Sequence, residues 1–138
     1  IGQTNQNVVN GQVTNDYWQV RVAACIALGE IGSEEAVDAL INTLLNDSDL
    51  MVKAYAAYGL GMIGDKKATA SLIMMLERYK NEYKSETAPL IYMLVKALGD
   101  IGDPQAFGIL LEVSQGSFPN YIKQVAIESI KKIQSAGN

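Results

Sequence analysis

The sequence predicts an all-α fold made of stacked antiparallel helix pairs, about seven helices in three and a half repeats. Three observations carry this. A stretch running from Val20 to Gly32 returns as Val52 to Gly64, as Leu90 to Gly102, and in degenerate form from Ile122 to Ile133, at intervals of 32, 38 and 32 residues. Self-similarity at such a period is the mark of a repeat architecture. Within each copy the apolar residues fall at helical spacing, and no run alternates like a strand. Between copies stand glycines and short polar residues of the kind that end one helix and cap the next.

The elements follow in order. Ile1 to Asn15 is polar, rich in Asn, Gln, Thr and Gly, and is expected to be an irregular leader. The chain starts at Ile1 rather than Met, so the expectation is a natural N-terminus cut away upstream, with the compartment, cytoplasmic or exported, left open. The repeat domain is expected over 16–134, and a frayed tail over 135–138. Asn15 or Asp16 can cap helix one, over about Tyr17 to Ile31, with Val20, Ala24, Ala27, Leu28 and Ile31 inward. Gly32 suits a left-handed stop, and Ser33 suits the cap of helix two, Glu34 to Asn46, whose first-turn acids Glu34 and Glu35 complement the dipole. Helix three is expected over Leu50 to Ile63, helix four over Lys66 to Tyr79 and helix five over Thr87 to Ile101. Pro89 is tolerated in the first turn of helix five, where a missing N–H loses no partner. Helix six is expected over Pro104 to Ser114 and helix seven over Asn120 to Gln134. The longer interval is absorbed in the polar segment Tyr79 to Glu86, which either extends helix four or forms the longest internal loop. Small residues, Ala24, Ala27, Ala56, Gly59 and Ala97, are expected where helices cross closely, because a larger side chain would push them apart.

Composition narrows the function. The chain has 138 residues, 49% hydrophobic, with 11 basic and 15 acidic residues and a net charge of −4. That balance argues against a nucleic-acid surface, where dense Lys and Arg supply most of the affinity. There is no histidine, and Cys25 is the single cysteine. The usual zinc sets and Ser–His or Cys–His pairs therefore cannot be built. Among core alanines Cys25 reads as a small buried hydrophobe. No apolar run reaches the roughly 20 residues of a membrane span. The Glu34–Glu35 and Asp47/Asp49 pairs read as capping and dipole compensation rather than acid–base chemistry. The Gly-x-x-Gly elements close helices instead of opening them after a strand, so they read as C-caps, not phosphate loops.

The recurring V-[RK]-x-x-A-x-x-x-[LG]-G-x-I-G, followed by a helix of the form x-A-x-x-x-L-[IL], resembles HEAT repeats. It is most similar to the short bacterial kind known as PBS-lyase HEAT-like repeats. The resemblance covers about Asp16 to Ile133. It implies a right-handed α-solenoid, with the first helices of each pair on the outer face and the second on the inner, concave face. Asp47 and Asp49 with Arg21 and Lys53 match the family's acid-and-base pattern, and Ile91 breaks it in the third repeat.

Two surface rows emerge as candidate partner sites. The concave row holds Glu35, Asp38 and Asn42; Lys67, Ala70 and Met74; and Gln105, Gly108 and Glu112. The alternative outer row holds Ile26; Met51, Tyr55, Tyr58 and Met62; Tyr92 and Met93; and Tyr121. Each also reads as a solvated face or a partly covered core arc. The expectation is a scaffold module without catalysis, cofactor or metal. It would bind a protein or peptide with basic and apolar groups on the concave face, with Met74 as apolar anchor. The oligomeric state is left open. The rival readings are a subunit of a phycobilin-lyase-like enzyme and a fragment of a longer array.

Overall fold

The computed structural model describes residues 6–9, 12–15 and 17–137. Among them are seven α-helices: α1 Trp18–Ile31, α2 Glu34–Asn46, α3 Leu50–Ile63, α4 Thr69–Tyr79, α5 Ala88–Ile101, α6 Phe107–Gln115 and α7 Asn120–Ala136. They form the pairs α1–α2, α3–α4 and α5–α6, with α7 as a last half-repeat. The fold is the expected solenoid of stacked helices.

The repeat's punctuation sets the helix ends. Gly32, Gly64 and Gly102 close α1, α3 and α5 at φ of 69°, 76° and 77°. Each donates its N–H to the leucine carbonyl four residues back, Leu28, Leu60 or Leu98. A side chain with a Cβ resists that left-handed conformation, so glycine fits there. The next residue is a cap in all three cases. Ser33 accepts from the Ala36 N–H, Asp65 from Lys67 and Asp103 from Gln105. After Asp65 and Asp103 the chain first makes a 3-10 turn, Lys66–Ala68 and Pro104–Ala106. The α-helices α4 and α6 therefore begin three residues later than the periodicity suggests, because the turn closes by bonds from Ala68 N to Asp65 O and Ala106 N to Asp103 O.

Several expectations need correction. The leader is not wholly irregular: β1 Gln6–Val9 pairs antiparallel with β2 Gln12–Asn15, with Asn7 opposite Thr14 and Val8 opposite Val13. The sequence between the strands is Asn-Gly, the pair that favours two-residue hairpins. α1 begins at Trp18 with Tyr17 at the cap position and no side-chain cap bond, and Asp16 lies outside the described residues. α7 continues through Ala136, two residues into the expected frayed tail. Of the two readings left open for the polar segment Tyr79 to Glu86, the connection is the one that holds: α4 ends at Tyr79 and α5 begins at Ala88.

The largest correction concerns α1. Its expected inward residues Val20 and Ile31 are 60% and 67% exposed, and Ala24 and Ala27 are exposed too. The buried side is Cys25 and Gly29, with Trp18, Val22 and Leu28 packed half-buried against the core. Their equivalents in α3 show why the periodicity misled. Val52, Ala56 and Gly59 are buried because α1 covers them, and nothing described lies in that place ahead of α1.

Layering decides where a ligand can sit. α1, α3, α5 and α7 pack intimately in series, whereas α2, α4 and α6 meet one another at only a few residues. The first glycine of each Gly-x-x-Gly element makes the difference. It is a crossing residue and not a cap, contrary to the reading from sequence. A Cβ on Gly29 would stand 2.9 Å from Gly59 Cα, and one on Gly61 would stand 3.0 Å from Ala97 Cα. One on Gly99 would enter Ser129, which is buried and donates to the Val95 carbonyl at 2.9 Å. Backbone thus meets backbone along this layer, and the leucines of α2, α4 and α6 fill the space behind it.

Candidate functional site

A cleft of about 850 Å³ opens on the layer of α1, α3, α5 and α7. Most of its walls are repeat-equivalent positions of three consecutive repeats. Met51, Pro89 and Tyr121 stand at one position, Ala54, Tyr92 and Gln124 at a second, and Tyr55, Met93 and Val125 at a third. These positions flank the buried Val52, Leu90 and Ile122, which are equivalent in the three helices. They grade from core, at Ala54 and Val125, to exposed, at Tyr121 and Gln124. Tyr55, Tyr92, Met51 and Met93 are half-buried.

One side of the cleft comes from outside the repeat. The connection between α4 and α5 brings Tyr83 and Ser85 to its edge. Thr87, 5% exposed, folds this connection back on itself. Its hydroxyl accepts from the Lys84 N–H at 2.8 Å and donates to the Glu82 carbonyl at 2.6 Å. Tyr83 thereby reaches Phe118 edge-on at 6.1 Å, and its hydroxyl, facing Tyr121, raises the pKa of the Tyr121 phenol. Tyr121 lies 6.1 Å from Tyr92, ring to ring. Three tyrosines thus line the cleft in a connected arc, with hydroxyls as polar handles on an apolar floor. Glu128 sits at its edge as the only charged residue among the lining side chains. A smaller cleft of about 490 Å³ lies on the other side of Tyr83, lined by Lys80, Glu112 and Phe118.

The outer row named from sequence divides here. Met51, Tyr55, Tyr92 and Met93 come together in the cleft, and Tyr121 joins them. Tyr58 and Met62 lie further along α3. Tyr58 packs edge-on to Tyr55 at 6.0 Å and lies under Lys96, while the Met62 sulfur rests against Gly29. Beyond the cleft, Lys96 and Lys132 both hold Asp100, at 2.8 and 2.6 Å. Tyr83, Ser85, Gln124, Val125 and Glu128 were not singled out from sequence. The outward positions on α7 follow from the repeat register and were legible in principle. Tyr83 belongs to the polar insertion and carries no periodic signal.

The row on α2, α4 and α6 is exposed at all nine positions, with Met74 54% exposed. The acidic character expected of it is offset by neighbours. Asp38 pairs with Lys67 at 2.7 Å, and Lys80 bridges Glu77 and Glu112 at 2.7 and 2.9 Å. Gly108 has open space around it.

The family's acid-and-base residues are framework. Asp47 is bound by Arg21 through Nε at 2.9 Å and Nη2 at 3.2 Å. Burial pushes its carboxyl up, but the Arg21 hydrogen bond, the Asp49 backbone N–H and the Arg21 and Lys53 charges together hold it below the usual carboxylate range. Asp49 caps α3 through the Met51 and Val52 N–H groups. Lys53, 7% exposed, bonds backbone rather than a carboxylate. Its ammonium donates to the Leu44 and Leu45 carbonyls at 3.1 and 3.4 Å, closing the C-terminus of α2. Desolvation and the Arg78 charge lower its pKa, against the pull of Asp47. Burial pushes the Cys25 thiol up to about 11, so it is a packed hydrophobe and not a nucleophile at neutral pH. Among the described residues no three of Cys, Asp and Glu gather as a metal site, and no helix is long and apolar enough to cross a membrane.

The model of HEAT repeats matches residues 9–89, more than half of the chain, and the PBS lyase HEAT-like repeat matches residues 91–116. The chain belongs to the HEAT-repeat family. HEAT repeats are generally protein-interaction scaffolds. No curated protein matches the chain.

Proposed function

We propose that the protein is an interaction module that holds an extended segment of another protein in the tyrosine-lined cleft across α3, α5 and α7. The observation that carries this is the construction of the cleft from the same positions of three successive repeats. Such a site presents a regular series of contacts to a chain lying across the helices. Aromatic and Met side chains supply adaptable apolar contact at low entropic cost. The partner's anchor is apolar, and a basic residue beside it meets Glu128. The tighter packing of α1, α3, α5 and α7, against the marginal contact of α2, α4 and α6, supports an inner curve on the cleft's side of the stack. The family resemblance implied the opposite assignment.

The test places a photo-crosslinking residue at Tyr92 or at Met74, recovers adducts from extracts of the source organism, and measures the recovered segment's binding to variants of intact fold. Tyr92→Asp is expected to weaken binding by tenfold or more, about 1.4 kcal/mol, and Met74→Asp to leave it near wild type. The reverse ranking moves the interface to the α2, α4 and α6 row. The phycobilin-lyase reading makes a different demand: added free bilin should then develop visible absorbance in a complex with the chain.

A further inference from the structure

We propose that the segment held in the cleft is rich in proline and lies there as a polyproline II helix, with a basic residue at the end over Glu128; this rests on the cleft being the interface. Spacing selects the conformation. The cleft repeats itself from α3 to α5 to α7 at equivalent positions, Met51, Pro89 and Tyr121 among them. Packed helix axes stand about 8–10 Å apart. Gly61 against Ala97 and Gly99 against Ser129 keep these three helices at the close end of that range. A polyproline II chain rises about 3.1 Å per residue with three residues per turn, so it presents the same side every ~9.3 Å. A β-strand presents the same side every ~6.7 Å, and two turns of α-helix span ~10.8 Å. Of the three conformations, polyproline II meets successive helices in step, with residues i, i+3 and i+6 over α3, α5 and α7.

Hydrogen bonding selects the composition. The floor of the cleft is the sides of helices, whose backbone groups are bonded within each helix. A strand laid there finds no sheet edge, and its N–H groups lose water without gaining a backbone partner. Proline has no N–H, so a proline-rich segment brings mainly carbonyls that need donors. Tyrosine hydroxyls supply them. Tyr55 and Tyr92 make ring contacts but no hydroxyl hydrogen bond among the described residues. Their flat faces also suit the proline ring, and the partner arrives already extended, so little chain entropy is lost on binding.

Charge selects the flank. No Lys or Arg lines the cleft, and Glu128 makes no ion pair among the described residues. The nearest cations in the repeat register are already engaged. Lys96, the equivalent of Glu128 on α5, and Lys132, one turn beyond Glu128, are both held by Asp100. A Lys or Arg of the partner therefore has Glu128 to meet, whereas an acidic residue there is repelled. Glu128 is exposed, so this contact sets orientation and on-rate more than residence time.

Titration calorimetry on the full chain tests this with end-blocked synthetic peptides. One carries an arginine followed by about eight prolines, a second has the arginine at the other end, and each has a counterpart with alternating Gly and Ser in place of the prolines. One of the two proline peptides is expected to bind about tenfold or more tightly than its Gly-Ser counterpart. Tyr92→Phe keeps the ring and loses the hydroxyl, and is expected to weaken that binding by about fivefold. Glu128→Gln is expected to abolish the advantage of an arginine end over a glutamine end, which is largest at low salt. Both variants are first matched to the wild-type thermal melt. Equal affinity for the proline and Gly-Ser peptides overturns the proposal, as does binding of neither, binding indifferent to Tyr92→Phe, or an arginine preference that survives Glu128→Gln. The segment crosslinked at Tyr92 separates this failure from that of the cleft itself. If that segment lacks proline and the proline peptides do not bind, the proposal falls and the cleft stands as the interface. If the crosslinks form at Met74 instead, the cleft falls and the proposal with it.

Discussion

The two layers of the stack treat small residues in opposite ways. In α1, α3 and α5 the crossing glycines Gly29, Gly61 and Gly99 stand hard against the next helix. In α6, a Cβ added at Gly108 would meet nothing within 4 Å, and the residue is exposed. One residue type therefore holds one layer together and leaves the other free. The lesson is that the repeat specifies a tight spine on one side and a looser row of helices on the other. The cleft belongs to the tight side, where three repeats are locked in register and can present equivalent side chains at fixed spacing.

The largest effect expected is from Leu60→Asp. Leu60 is 1% exposed at the centre of the second repeat. A buried, unpaired carboxylate costs several kcal/mol, against a total stability of about 5–15 kcal/mol. Loss of the cooperative helical melt by circular dichroism is the expected result, and an unchanged melt would break the spine. The paired glycines come next and sharpen the contrast. Gly61→Ala must push against Ala97 Cα, so it is expected to destabilise by about 1–3 kcal/mol. Gly108→Ala meets open space and should stabilise by about 0.4–1 kcal/mol, through the unfolded chain's lost freedom. Denaturant midpoints for the two variants must move in opposite directions. Movement in the same direction would mean that the layers do not differ.

Much of this architecture was legible because the repeat writes its own boundaries. Gly32-Ser33, Gly64-Asp65 and Gly102-Asp103 each couple a stop to a cap, and these bonds are local. What depended on a neighbour was not legible. Periodicity finds an apolar stripe on α1 but cannot tell whether anything covers it, so Val20 and Ile31 read as core. The same limit hid the difference between Gly29, a crossing residue, and Gly32, a cap. Five of the cleft's thirteen lining residues, Met51, Tyr55, Tyr92, Met93 and Tyr121, were visible as a Tyr and Met row. Tyr83 was not, since only the Thr87-pinned connection brings it beside Tyr121. Asn10-Gly11 between valines was a readable hairpin signal, outweighed by the polar composition around it.

A smaller effect distinguishes the charged groups of the spine by pH. The folded state holds the Asp47 carboxyl below its ordinary 3.8. A depressed carboxylate contributes stability that is present above the unfolded value and is lost as pH falls through the folded one. Stability should therefore drop as pH falls below about 3.8, and Asp47→Asn should flatten that limb while lowering stability at pH 7. Cys25 acts at the other end of the scale. Its thiol is raised to about 11 from 9.0, so folding resists the thiolate, and stability should fall as pH rises from 9 toward 11. Cys25→Ala should remove that alkaline loss, and alkylation of native Cys25 at pH 8 should be limited by unfolding.

The smallest effect is expected on the looser layer, at Asp38 and Lys67. Their contact is short, 2.7 Å, but both side chains are about half exposed or more. Lys67 has its pKa raised by the hydrogen bond to Asp38, which shows the attraction without making it a source of stability. Exposed pairs of this kind lose in side-chain entropy and salt screening most of what the charges gain. Asp38→Ala and Lys67→Ala should each leave the melting temperature within experimental error, singly and together. A non-additive loss in the double-mutant cycle would show that α2 and α4 are coupled through this pair. It would then follow that the second-helix layer is held together by more than its leucines. The same two variants also separate the candidate interfaces. Binding in the tyrosine cleft is expected to be unchanged by either, because both residues lie on the α2 and α4 side of the stack. A partner seated on that side instead meets the surface charge of Asp38 as it docks. Asp38→Lys would then slow association at low salt, and the slowing would fade as salt is added.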